Sequence, residues 1–80
     1  MRERVEVKVP EFETECQAYL SFWYKQEGEE VTAGEDLVEF ETDKAAVTVE
    51  APATGKLAQI FVGEDEEITS GQVVGIIEAI

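Results

Sequence analysis

Short stretches of alternating apolar and polar residues, separated by glycine and proline, set the pattern of this chain. In "VEVKV", Val5, Val7 and Val9 alternate with charged residues, as one buried face of a β-strand requires. "DLVEFE" repeats the pattern with Val38 and Phe40, "AAVTVEA" with Val47 and Val49, and "VVGIIEAI" closes the chain with Val73, Val74, Ile76, Ile77 and Ile80. Pro10, Gly28, Gly34, Pro52, Gly55, Gly63 and Gly71 punctuate the sequence at short intervals, which predicts many short strands joined by turns. Only "CQAYLSFWYKQ" offers a helical alternative, with Leu20 and Trp23 three residues apart, and no sustained helical period with a cap accompanies it.

An internal repeat weighs against that helix. Shifted by 37 positions, residues 19–41 ("YLSFWYKQEGEEVTAGEDLVEFE") fall over residues 56–78 ("KLAQIFVGEDEEITSGQVVGIIE"). Leu20 meets Leu57, Thr32 meets Thr69 and Gly34 meets Gly71, while Trp23/Ile60, Tyr24/Phe61, Val31/Ile68, Leu37/Val74 and Phe40/Ile77 keep apolar character. Two copies in so short a chain imply one core made by two halves, neither able to bury its apolar face alone. The Leu-to-Trp and Leu-to-Ile spacing of three breaks strict alternation in both copies, which predicts a shared bulge. Gly34 and Gly71 are expected at turns with positive φ. The architecture implied is two antiparallel sheets related by a quasi-two-fold axis. Trp23 and Tyr24 are expected in the packing.

Composition narrows the function classes. At 80 residues the chain has room for one domain, so 1–80 is expected to be a single unit. With 44% hydrophobic residues it should fold despite a net charge of −13. Nucleic acid and anionic membrane are poor partners for such a surface, because phosphate contacts need clustered Lys and Arg; basic protein surfaces are its counterpart. "MRERVEV" lacks the apolar core of a signal peptide, and no run nears the roughly 18 apolar residues of a membrane span, so a cytoplasmic location is expected. The single cysteine, Cys16, fits a reducing compartment. With no histidine and one cysteine, the usual neutral-pH base and the usual zinc ligands are missing, so an enzyme acting alone is disfavoured.

Against this acidic background Lys44 stands out in "FETDKAAV", between Asp43 and Ala45. By the repeat, Thr42 and Asp43 align with Ala79 and Ile80, so the segment carrying Lys44 in one half corresponds to the chain terminus in the other. By composition alone Lys44 reads as a solvated turn residue. "FETDKA" followed by "APATGKL", however, resembles the lipoyl-lysine motif of lipoyl domains from the dihydrolipoamide acyltransferase components of 2-oxoacid dehydrogenase complexes, within the biotinyl/lipoyl carrier family. "FWYKQEGEEVTAGEDLVEFETDKA" and "VGEDEEITSGQVVGIIE" extend the similarity over nearly the whole chain.

The resemblance implies an all-β fold, a flattened β-barrel of two four-stranded antiparallel sheets, with Lys44 at the tip of a tight hairpin. It implies that Lys44 carries lipoic acid in amide linkage and acts as a swinging arm without an active site of its own. Glu41, Thr42, Asp43 and Ala45 become candidate recognition residues. The implied partners are a lipoate ligase or lipoyl transferase, a thiamine-diphosphate-dependent 2-oxoacid decarboxylase and dihydrolipoamide dehydrogenase, with coenzyme A as acyl acceptor. Two alternatives stand beside this: a barrel-sandwich interaction module with unmodified Lys44, and a biotin carrier, whose lysine ordinarily lies between two methionines where Asp43 and Ala45 stand here. The loop "EFETECQA" departs from the family in having no glycine and one residue fewer.

Overall fold

The computed structural model describes residues 3–11 and 17–79. Among these, alternation gives β1 (Glu3–Lys8), β2 (Ala18–Trp23), β3 (Glu30–Val31), β4 (Asp36–Thr42), β5 (Ala46–Glu50), β6 (Gly55–Ile60), β7 (Glu67–Ile68) and β8 (Val73–Ala79). Within the stretch that offers a helical alternative, Ala18–Trp23 form strand β2. No helix of the described residues is long and apolar enough to cross a membrane.

The strands form two four-stranded antiparallel sheets, ordered β1-β8-β6-β3 and β5-β4-β2-β7. Among the described residues no strand of one sheet pairs with a strand of the other, so the expected flattened barrel takes the form of a sandwich. Its filling is the repeat itself. Leu20, Leu57, Leu37, Val74, Phe40 and Ile77 are each 0% exposed, and Val31, Ile68 and Val7 join them in the core. Burying each such side chain is worth about 1.5–3 kcal/mol relative to exposure.

The quasi-two-fold is legible at the level of single hydrogen bonds. Tyr24 N–H donates to Leu37 C=O at 2.8 Å and Phe61 N–H to Val74 C=O at 2.9 Å. Gly28 N–H donates to Leu57 C=O at 2.7 Å, and its counterpart Asp65 N–H donates to Leu20 C=O at 2.7 Å. The register shift between Leu20 and Phe22 recurs between Leu57 and Gln59, which is the shared bulge the spacing predicts. Gly34 and Gly71 have φ of 88° and 82°, as expected of turn glycines. At the Gly28 equivalent, Asp65 takes φ of 68°, a conformation that Asp tolerates better than most side chains.

The aromatics depart in part from expectation. Trp23 is half-buried against the core, donates its Nε1–H to Val62 C=O at 2.9 Å, and lies over Gly75, where a Cβ would come within 3.0 Å of the indole. Tyr24, in contrast, is 42% exposed and is no core residue. The bulge puts Trp23 on the inner side, and Tyr24 instead meets Phe22 edge-on, ring centroids 4.7 Å apart.

Two connections orient the site. β5 leads the chain about 16 Å from the β4–β5 turn, five residues at ~3.3 Å each. Ala51–Thr54 then lead to Gly55, which pairs with Ala79. The turn carrying Lys44 and the end where Glu3 faces Ala79 therefore lie at opposite ends of the sandwich.

Candidate functional site

The β4–β5 hairpin holds together the candidate residues Glu41, Thr42, Asp43, Lys44 and Ala45. Glu41 pairs with Ala46 in register, Thr42 N–H donates to Ala45 C=O at 2.8 Å, and Asp43 and Lys44 make the two-residue loop between them. Among the described residues the non-glycine position with positive φ is Asp65, so both loop residues keep negative φ. Two-residue hairpins more often use Asn-Gly or Asp-Gly with positive φ, because those turns match the strand twist. Here the Thr42 side chain completes the turn. Its Oγ1 accepts from Lys44 N–H at 3.2 Å and from Ala45 N–H at 3.1 Å, and donates to Ala45 C=O at 3.2 Å.

Lys44 is exposed at the tip. Among the described residues, ion pairs hold Lys8 to Glu6, Lys25 to Glu35 and Arg4 to Glu78, and none holds Lys44. Asp43 and Ala45 are exposed beside it, and Glu41 and Thr42 are half-buried. A fixed backbone beneath a free, long side chain is what this arrangement provides: an amine that can be presented to another protein's active site.

Sequence reasoning missed Tyr19. It is registered with Glu41 on β4 and with Glu67 on β7, and its hydroxyl donates to the Glu41 carboxylate at 3.2 Å. That hydrogen bond first, and the Glu41 charge second, hold the phenol above its ordinary 10.0, with slight desolvation and the charges of Asp65 and Asp43 adding to the shift. Alternation from the buried Leu20 puts Tyr19 on the outer face, which was the available signal; its pairing with Glu41 needed the register. Because the phenol value is raised, the bond is present below the ordinary value and is lost as pH rises through the raised one. In a Tyr24→Phe background Tyr19 is the one remaining phenol, and absorbance titration should place its midpoint above 10.0, with Glu41→Gln lowering it. A midpoint indifferent to Glu41→Gln would exclude the pair. The loop "EFETECQA" and Cys16 fall largely or wholly outside the described residues.

The family model Biotin_lipoyl, described as "Biotin-requiring enzyme", matches residues 5–77. The chain belongs to the Biotin_lipoyl family. Within it, the chain superposes on the solution structure of the lipoyl domain of the 2-oxoglutarate dehydrogenase complex from Azotobacter vinelandii with a TM-score of 0.77, at 32% identity, covering 95% of this chain and 99% of that one. It is 39% identical over 75 residues to the dihydrolipoyllysine-residue succinyltransferase component of the 2-oxoglutarate dehydrogenase complex of Bartonella vinsonii, covering 92% of this chain and 18% of that protein. The corresponding Bacillus subtilis component is 36% identical over 73 residues, with 90% and 18% covered. The chain thus spans about a fifth of the length of the curated relatives it matches. A Kluyveromyces lactis urea carboxylase shares the fold, with a TM-score of 0.79 at 19% identity, over 94% of this chain and 6% of that one. As a lipoyl-type member of the family, the chain has the role of a lipoyl carrier; the biotin alternative has less support, since the carboxylase shares the fold alone.

Proposed function

We propose that residues 1–80 act as a single lipoyl domain of a 2-oxoglutarate dehydrogenase complex, with lipoic acid in amide linkage to Lys44 and no active site of the domain's own. The observation that carries this reading is the hairpin tip: an exposed lysine, unpaired among the described residues, on a turn held by Thr42 and turned away from the Glu3/Ala79 end. These residues fit the group, since the amine is open to solvent and its backbone is held.

When bound, the lipoyl group supplies a dithiolane that takes up an acyl group and two electrons. The chain's own part is to hold and present. The β4–β5 hairpin fixes where the Lys44 stem leaves the protein, and the stem's free rotations let its end reach different active sites. Tethering raises the local concentration of whatever the arm carries at each partner. Asp43, Glu41 and Ala45 flank the amine as the surface a ligase or lipoyl transferase and the decarboxylase would read. The partners in this reading are that modifying enzyme, a thiamine-diphosphate-dependent 2-oxoglutarate decarboxylase and dihydrolipoamide dehydrogenase, in the cytoplasm. The net charge of −13 favours basic surfaces on them.

Intact-mass measurement and peptide mapping after treatment with lipoate ligase, and separately with biotin ligase, test the proposal. One lipoyl group is expected on Lys44, with Lys8, Lys25 and Lys56 unmodified and no biotin incorporated. Lipoate on another lysine, or biotin on Lys44, would overturn it. Reductive acylation assays of the loaded protein with purified decarboxylases then test the substrate: 2-oxoglutarate should support acylation better than pyruvate.

A further inference from the structure

The Thr42 hydroxyl makes as many hydrogen bonds as a hydroxyl can. It donates once, to Ala45 C=O at 3.2 Å, and accepts twice, from Lys44 N–H at 3.2 Å and Ala45 N–H at 3.1 Å. In an ordinary two-residue hairpin the Ala45 N–H would return to the Thr42 carbonyl, closing a pair of backbone bonds. Here one backbone bond of that pair is made, Thr42 N–H to Ala45 C=O at 2.8 Å, and the side chain takes the other N–H. The hydroxyl thus stands in for a main-chain acceptor and reaches one residue further, to the backbone of the lysine itself.

We propose that Thr42 is the positioning residue for modification of Lys44: its hydroxyl, held between the two sides of the turn, fixes the direction in which the lysine leaves the backbone. This rests on the reading of Lys44 as the lipoylated residue and deepens it. With negative φ at Asp43 and Lys44, the turn lacks the backbone conformation that would match the strand twist unaided. Removing the hydroxyl leaves the flanking ladder of Glu41 with Ala46 and Phe40 with Val47 in place, while the Lys44 and Ala45 amides pass to solvent. The domain stays folded and its tip takes several directions. A modifying enzyme must align one amine with one acyl carbon, so a spread of directions lowers the fraction of encounters that react.

Thr42→Val removes the hydroxyl at nearly constant shape and keeps the branched side chain a strand end accommodates, whereas Thr42→Ser keeps the hydroxyl and loses the methyl. Lipoylation of Thr42→Val by lipoate ligase should fall about 10-fold or more, in kcat with KM for the domain changing less than about twofold, because a displacement of an ångström at the reacting atom costs up to 100-fold. Thr42→Ser should restore the rate. Amide exchange should lose protection at Lys44 and Ala45 in the valine variant, regain it in the serine variant, and stay unchanged at Phe40 and Val47. Equal rates for valine variant and parent, or a serine variant as slow as the valine one, would overturn the assignment. Failure of the lipoyl reading looks different: the parent itself stays unmodified at Lys44, and a hydroxyl with nothing to position there overturns the proposal with it, whatever the amides show.

Discussion

Exchanging Asp43 and Lys44 should leave the sandwich folded and stop lipoylation. Both side chains are exposed, both loop positions have negative φ, and among the described residues neither side chain makes a bond that holds the hairpin, so the cost in stability should stay within about 0.5 kcal/mol. Thr42 remains in place, and its hydroxyl still receives the backbone N–H groups of positions 44 and 45. The amine, however, moves one residue along the turn and leaves the backbone in another direction, and a carboxylate occupies its former place. An enzyme that reads a lysine at one position of a fixed turn should modify this variant at least about 100-fold more slowly than the parent. Thermal unfolding and lipoylation yield are measured together on the same samples. Early unfolding, or modification at the parent's rate, would show that the hairpin is not a rigid support presenting one lysine at one position.

Replacing Gly55 by alanine should have the opposite signature, with the β4–β5 hairpin untouched and the fold badly weakened. A Cβ at Gly55 would run into the Glu78 carbonyl oxygen and come within 2.8 Å of the Glu78 carbonyl carbon and the Ala79 Cα, all main-chain atoms of the neighbouring strand. A side chain could swing aside; a central strand cannot. Gly55 is also where β6 meets both neighbours, paired with Ala79 on β8 and with Val31 on β3. Overpacking of this kind costs about 3 kcal/mol or more, which in a domain of this size lowers Tm by something like 12–24 °C. Gly34→Ala is the control. Among the described residues nothing lies within 4 Å of its Cβ position, so the φ of 88° is what opposes it, at about 1–2 kcal/mol. If Gly55→Ala is no worse than Gly34→Ala, β6 and β8 do not approach closely at Gly55.

Much of this was legible from the chain because strand alternation and the repeat report on the same faces. Leu20 and Leu57, Leu37 and Val74, and Phe40 and Ile77 are conserved in character between the copies since each pair fills equivalent space in one core. The glycine turns were readable because positive φ leaves few choices of residue. What stayed hidden depends on register and turn geometry, which neighbouring residues do not encode. Tyr19 meets Glu41 because β2 and β4 pair with that offset. Thr42 was marked as part of the motif, yet its bonds to the turn follow from loop dihedrals that "TDKA" as a string does not specify. The lysine itself was singled out by resemblance, for in isolation an exposed lysine at a turn is ordinary.

The sheet orders carry a consequence for how the molecule comes apart. β3 belongs to the first copy of the repeat and pairs with β6 of the second, while β7 of the second pairs with β2 of the first. Each copy thus lends its shortest strand to the other, the arrangement of a strand-swapped dimer written into one polypeptide. A half released from its partner would lose its own contribution and its neighbour's together, leaving a bare edge on each sheet. Melting should therefore be all-or-none, with no stage at which one copy stands folded while the other is a coil. For a carrier whose arm must be worked on repeatedly, that coupling keeps the lysine on a platform that is either wholly present or wholly absent.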